Sequence, residues 1–334
     1  MRVYCTGISG VGASKYIEGV VEYAKTKEEE IKIFNVGKEV FRLAEKAGYP
    51  VTPTGVLDLS ERALTHLTDT AYENIAGRIE KYGNAIIDAH LNFRWRGAII
   101  TPVKMRMITP LKPDIYVTIM DLARPIIKRL SEDTKQWKRE IEKNNITIPN
   151  TLDLQNMEVN LTEQIAHYKR KPMYVLPTGD SPDSLYKIAT NKDVEVAYVS
   201  FPMTHILTDE VSREKIDNFV KQLRQFENLA LITPRAVEVP TNPSSIEEQH
   251  TVMQDLGWFV EKSTKRIFVY FPKIVYSRGV DHESIRAKES CKEVWFTAPP
   301  EMRDPFTNST IHKRFNSPEE CLEALVKEGL KRTE

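Results

Sequence analysis

The chain of 334 residues lacks net charge, with Lys+Arg and Asp+Glu at 47 each. That balance argues against a broad grip on nucleic acid, although a local basic patch is compatible with it. Cysteine is scarce. Cys5, Cys291 and Cys321 are far apart, with no C-x-x-C pair and no Cys/His cluster at metal spacing, so neither a disulfide framework nor a zinc module is expected. No apolar run approaches membrane-spanning length, and the first residues enter a strand-like run without a basic stretch and apolar signal core. The expectation is a cytoplasmic protein with no membrane association. Internal repeats and low-complexity tracts are also lacking.

What is present is alternation. Apolar runs at Val3–Thr6, Ile31–Val36, Ala85–Asp88, Ile115–Ile119 and Met173–Leu176 are separated by amphipathic stretches, including Lys38–Lys46, Ser60–Tyr82 and the polar, helical Ala123–Lys169 region. Strands at Val194–Phe201, Leu229–Thr233, Arg266–Phe271 and Glu293–Phe296 alternate in the same way with helices at Asp209–Gln225, Ser245–Lys262, Asp281–Ser290 and Ser317–Lys327. Such alternation predicts an α/β chain of two parallel sheets covered by helices. The length also favours two domains. They are expected at 1–190 and 194–334, joined by the polar Thr190-Asn191-Lys192-Asp193.

The most informative segment is Gly7-Ile8-Ser9-Gly10-Val11-Gly12-Ala13-Ser14, directly behind the first apolar run. It reads as a phosphate-binding loop between a strand and a helix. Glycines let backbone N–H groups turn inward around phosphates, the helix presents its positive end, and the final hydroxyl of Ser14 reaches Mg²⁺. Gly7, Ser9, Gly10, Val11, Gly12, Ala13 and Ser14 are therefore the expected cofactor-binding residues, for the phosphates of a nucleotide with Mg²⁺. Ala13 stands where such loops carry a Lys. Lys15 is a poor substitute, because two helical positions turn a side chain well away from that direction.

The first half resembles archaeal-type adenylate kinases over roughly residues 1–190. The likeness rests on Thr6–Ser14, Phe34-Asn35-Val36-Gly37, Ile86-Ile87-Asp88-Ala89-His90, Leu111-Lys112-Pro113-Asp114-Ile115 and Lys128-Arg129-Leu130. A small residue often takes the Lys position in that family. The resemblance implies a P-loop NTPase sheet, ATP phosphates on the loop, Asp88 with Ser14 at the metal, and Arg129 and Arg139 spreading charge over a transferring phosphoryl group. It also implies Thr178-Gly179-Asp180 beside the adenine. Two departures follow from the residues present. Thr54-Gly55-Val56-Leu57-Asp58 has no Arg to grip an acceptor monophosphate, and the lid segment Asp133–Arg139 has a Lys where an Arg is expected and about two extra residues. The plainer alternatives are strand-end roles for Asp88 and His90 and a solvated helix face for Arg129.

In the second half, Tyr198–Thr204 ends a strand in a polar turn, Asp255-Leu256-Gly257-Trp258 lies in a helix, and Ser277-Arg278-Gly279-Val280-Asp281-His282-Glu283 opens another. In an open parallel sheet these strand ends face one crevice. The pattern resembles the nucleoside 2-deoxyribosyltransferase superfamily, especially its nucleotide N-glycosidase branch, over roughly residues 194–330. That likeness implies a flavodoxin-like sheet, Glu283 as a nucleophilic or base-like carboxylate, Asp255 as a second acid, and Ser277 with Gly279 as a 5′-phosphate site. The chain departs from the family at Thr264-Lys265, where an acidic residue is usual, and at Ser284-Ile285-Arg286, where a small, Gly-containing helix is usual. The alternative for Glu283 is a carboxylate placed near a helix N-terminus by the helix dipole.

The expected function is nucleotide metabolism: monophosphate-kinase-like phosphoryl transfer in the first domain, and nucleotide binding or N-glycosidic cleavage in the second. Nucleoside mono- and triphosphates are the expected partners, and a homo-oligomer is left open. An ATP-binding sensor without turnover and a nucleic-acid-processing ATPase are the competing readings.

Overall fold

The computed structural model describes residues 1–49, 55–133, 135–203, 209–233, 242–262, 265–303 and 308–332. Thr54, Thr134, Thr204 and Thr264, each part of a segment singled out above, lie outside them. The chain divides into two compact units, Met1–Pro182 and Asp183–Glu334.

The strands of the first unit are β1 (Arg2–Thr6), β2 (Lys32–Asn35), β3 (Ala85–Ala89), β4 (Phe93–Trp95), β5 (Ala98–Ile100), β6 (Ile115–Met120) and β7 (Met173–Pro177). Its helices are α1 (Ala13–Thr26), α2 (Val36–Lys46), α3 (Glu61–Ile79), α4 (Met105–Ile108), α5 (Ala123–Asp133), α6 (Lys135–Glu142) and α7 (Ile148–Lys169). Five strands form one parallel sheet in the order β2-β3-β1-β6-β7. Buried β3 and β6 are apolar along nearly their whole length, as strands covered on both faces require. The register sets Thr6 beside Ala89 and Thr118, and Asn35 beside Asp88. The carboxyl ends of the central strands therefore meet where the glycine loop leaves β1.

Helix starts follow the chemistry of their caps. Asn35 accepts from the Lys38 N–H at 2.7 Å to open α2, and Ser60 and Thr147 do the same for α3 and α7. The helical region at Ala123–Lys169 divides into α5, α6 and α7. The β4–β5 hairpin was not foreseen. Its turn puts Arg96 at φ 50° and Gly97 at φ 80°, the two left-handed residues of a tight hairpin, and Arg at the first of them hides the usual Asn-Gly signal.

The second unit contains β8 (Glu195–Ser200), β9 (Leu229–Ile232), β10 (Arg266–Tyr270), β11 (Glu293–Thr297) and β12 (Lys313–Phe315). Its helices are α8 (Pro182–Thr190, entering at Asp183), α9 (Glu210–Leu223), α10 (Ser245–Met253), α11 (Arg278–Glu289) and α12 (Pro318–Lys327). The strands are parallel in the order β12-β11-β10-β8-β9, a flavodoxin-like 2-1-3-4-5 sheet. Four strands were expected, and β12 is the fifth; its three residues Lys-Arg-Phe carry too little apolar pattern to be seen. The helix expected over Ser245–Lys262 is α-helical only to Met253 and π-helical from Gln254 to Lys262. Side chains of α8 bond within this unit: Ser184 Oγ donates to the Leu231 carbonyl at 2.6 Å, and Lys187 Nζ to those of Arg224 and Leu229 at 2.7 and 3.0 Å.

Arg266 is the largest charged group in this core, 2% exposed. Its guanidinium pairs with Glu195, donates to Glu328 at 2.9 Å and lies 4.4 Å from the Trp295 ring centroid. Removing one partner of such a buried pair strands the other charge. Arg266→Met is expected to cost about 3 kcal/mol, because the buried Glu195 carboxylate would keep only the exposed Lys265 ammonium at 3.4 Å. Hydrogen exchange of the β8 and β10 amides in the full chain checks this, and unchanged protection contradicts it.

Candidate functional site

In the first unit the loop from Gly7 to Gly12 is braced from behind on several sides. Gly10 has φ 78°, and a Cβ there would lie 2.6 Å from Leu130 Cγ; Gly12 has φ 92° and precedes α1 without a side-chain cap. Both positions select glycine by conformation, and Gly10 also by space. Arg129 of α5 donates from Nε to the Gly10 carbonyl at 2.6 Å, and from Nη2 to the Val11 carbonyl at 3.0 Å and to Asp121 at 2.5 Å. The Gly7 carbonyl bonds His90 Nδ1, and the Gly7 N–H donates to Glu158 at 3.1 Å. Arg129 therefore holds loop carbonyls back, a role the solvated-face alternative does not describe.

Glu158, on α7, is fully buried and accepts from the N–H groups of Gly7, Leu91 and Asn92 and from Asn92 Nδ2. Burial pushes its carboxyl up to about 7, against the pull of these donors and of His90. The sequence contained no signal for it, since an acid within a polar helical run looks like any solvated one.

Ahead of the loop, Ser14 Oγ donates to Asp88 Oδ2 at 2.6 Å, and Asn35 Nδ2 donates to the same carboxylate at 2.6 Å and reaches Ser14 Oγ at 3.3 Å. A hydroxyl and a carboxylate this close suit Mg²⁺, which binds through one or two protein oxygens and takes the rest from phosphate and water. Among the described residues no group of three or more His, Cys, Asp or Glu could hold a metal. Asn35 is the site residue that sequence reasoning left without a role; its place before a helical pattern was the available signal.

Ser9 and Gly10 line a cavity of about 350 Å³ whose walls are mainly apolar, with Val36, Phe41, Leu64 and Trp137 among them. Thr178 lies near Gly12, its Cγ2 at 3.9 Å from where a Cβ on Gly12 would be. Gly179 is in the turn after β7. Ala13 is the first, buried residue of α1. Arg139 is elsewhere: exposed on α6, it lines a separate depression with Asp58, Arg96 and Lys143.

In the second unit Glu283 projects from α11 to Tyr198 and Ser200, both on β8 beside β10, where the strand order reverses. Tyr198 Oη donates at 3.1 Å, the Ser200 hydroxyl donates to the other carboxylate oxygen, and Phe259 stacks on the Tyr198 ring at 6.3 Å. Tyr198 and Ser200 were not foreseen as site residues, although positions two apart on a strand share a face. Burial lifts the Glu283 carboxyl to about 7 despite those two hydroxyls. Asp255 is raised well above the usual range by burial and by the Glu283 charge, and its buried Oδ1 has no hydrogen-bond partner. Asp255 therefore lies within reach of the Glu283 charge. Ser277 caps α11, its Oγ 3.5 Å from the Val280 N–H, and Gly279 is an exposed residue of the first turn. Among the described residues no hydrogen bond ties either of them to Glu283.

The raised carboxyls give a pH signature. Below about 7 the folded Glu283 holds a proton that an unfolded carboxyl, near 4, has lost, and Asp255 is raised in the same direction, so stability falls as pH rises from about 4 through 7. Asp255→Asn cannot ionise and is expected to flatten that fall, leaving the variant more stable than the parent at pH 8. Denaturant unfolding at pH 5 to 8 measures it; parallel curves for the two proteins would contradict the coupling.

Among the described residues no helix is long and apolar enough to cross a membrane. A family model described as an AAA domain matches residues 6–147. The chain is 23% identical to an adenylate kinase of Methanocaldococcus jannaschii over 135 residues, 40% of this chain and 70% of that one. It is 25% identical to an adenylate kinase of Methanoculleus marisnigri over 135 residues, with the same coverage of 40% and 70%. Together with the loop and its place in the parallel sheet, these similarities support reading the first unit as a P-loop domain.

Proposed function

We propose that the first unit binds ATP with Mg²⁺ and transfers its terminal phosphoryl group to a nucleoside monophosphate. The observation that carries this reading is the Ser14–Asp88 pair, 2.6 Å apart at the mouth of a braced glycine loop; the likeness to adenylate kinases supports it. Ser14 and Asp88 would hold the metal, which supplies positive charge to the phosphate oxygens. Loop amides beginning near Gly10 would take the phosphates, and Thr178-Gly179 the adenine side. In the transfer, an oxygen of the acceptor phosphate forms the new P–O bond, the bond to the β–γ bridging oxygen breaks, and ADP leaves with the electron pair. Positioning and charge carry most of such a reaction. Arg129, already fixed on the loop, would keep its geometry during transfer, and Arg139 would have to approach with its helix. The cavity beside Ser9, with its apolar walls, is the candidate acceptor side.

ADP formation in the presence of each ribo- and deoxyribonucleoside monophosphate tests the reading. Acceleration by one of them supports it; a constant rate with all of them leaves an ATP-binding protein without kinase turnover.

For the second unit we propose nucleotide binding with cleavage of the N-glycosidic bond, carried by the contact of Glu283 with Tyr198 and Ser200 next to Asp255. A carboxylate fixed by two hydroxyls can act at the anomeric carbon, and a neighbouring carboxyl that keeps its proton can pass it to the departing base. In balance, C1′ loses the base nitrogen and gains the hydroxyl of water, and the base takes the proton. Chromatography of monophosphates incubated with the protein tests this; absence of free base from every nucleotide reduces the unit to a binding module.

A further inference from the structure

The P-loop lacks its Lys at Ala13, and a cation is available from another element. The apolar cavity at Ser9 and the neighbouring cleft at Ser14 and Asp88 share two lining residues, Asn35 and Lys38. The other basic residues of these walls are committed. Arg42 and Arg78 pair with Glu39 at 2.5 and 3.2 Å, Lys32 lies 5.3 Å from the Tyr82 ring centroid, and His90 bonds the Gly7 carbonyl. Lys38 is exposed, and its ammonium makes no hydrogen bond or ion pair among the described residues. Its backbone, by contrast, is fixed: Asn35 accepts from the Lys38 N–H while its amide nitrogen holds Asp88 and reaches Ser14. The first turn of α2 is thereby tied to the proposed metal pair, and the exposed Lys38 lines both the donor cleft and the acceptor cavity.

We infer that Lys38 supplies the positive charge missing at Ala13, binding the terminal phosphate of a nucleoside triphosphate at the point of transfer. The inference rests on the nucleotide-site reading above. An ammonium on a flexible stem is suited to this, because it acts as a point charge and needs no fixed planar geometry. It also explains how a loop without Lys can sit beside an acceptor cavity whose described wall has no Arg. Lys38 would favour triphosphate over diphosphate, since only the former carries the group it touches.

Calorimetric titration of the full chain with Mg²⁺ plus ATP or ADP tests both statements separately. The parent protein is expected to prefer ATP, Lys38→Ala to lose about tenfold of that preference as a charge-assisted hydrogen bond is removed, and Lys38→Arg to keep most of it. Lys15→Ala, beside the loop on α1, is the control and should match the parent. An unchanged ATP/ADP ratio in Lys38→Ala overturns the inference while the nucleotide site stands, as does a loss that moves to Lys15→Ala. A parent protein that binds no ATP overturns the nucleotide site and the inference with it. Matching thermal unfolding of parent and variants excludes a folding defect at this exposed position.

Discussion

Asp88→Asn is expected to lower ATP turnover by about two to three orders of magnitude, as loss of a metal-holding charge does, with little change in stability. The substitution preserves the shape of the side chain and an oxygen for the bonds from Ser14 and Asn35. It removes the negative charge that, with the Ser14 hydroxyl, would hold Mg²⁺. The defect should therefore be steepest at low Mg²⁺ and partly relieved by raising it, whereas a defect in packing would ignore the metal. Turnover measured across a Mg²⁺ series, with thermal unfolding of the same samples, decides the matter. Parent-like turnover at limiting Mg²⁺ would remove Asp88 from the metal site.

Glu283→Gln is expected to suppress release of free base by about a thousandfold, the scale on which loss of a nucleophilic or base-like carboxylate is felt, while nucleotide affinity changes little. The amide oxygen can still accept from one of the two hydroxyls of Tyr198 and Ser200. The other loses its acceptor, a cost of about 1 kcal/mol that falls on stability. Asp255 would at the same time be relieved of the charge that raises its carboxyl, so its titration in the variant should move down. Product chromatography and titration calorimetry on one preparation separate chemistry from binding. Base release undiminished in the variant would take Glu283 out of the reaction.

The two halves of the molecule differ in how much could be read from residues alone. The glycine loop was legible because its demands are local: two residues at positive φ, a hydroxyl at the helix start and a strand behind it all lie within a dozen positions. Helix starts at Ser60 and Ser277 were legible for the same reason, since a cap depends on residues three apart, whereas Asn35, placed in the strand-like run Ile31–Val36, caps α2 in the structure. Segments whose pattern is short or atypical escaped. The hairpin turn at Arg96-Gly97 lacks the favoured side chain at its first position, and β12 has three residues.

By itself, then, the sequence determined the α/β class, the parallel character of both sheets and the position of the loop, because each follows from apolar periodicity and local backbone chemistry. Tertiary structure alone decided which distant side chains meet. Glu158 reaches the loop from 151 positions away, Asp88 reaches Ser14 from 74, and Ser200 reaches Glu283 from 83. It also decided that Arg129 turns to loop carbonyls while Arg139 stands apart, and that Lys38 borders both cavities. The physical reason is that hydrogen bonds and buried charge depend on distances of a few ångströms. Such distances between remote residues are set by strand order and helix packing, and no local pattern records them.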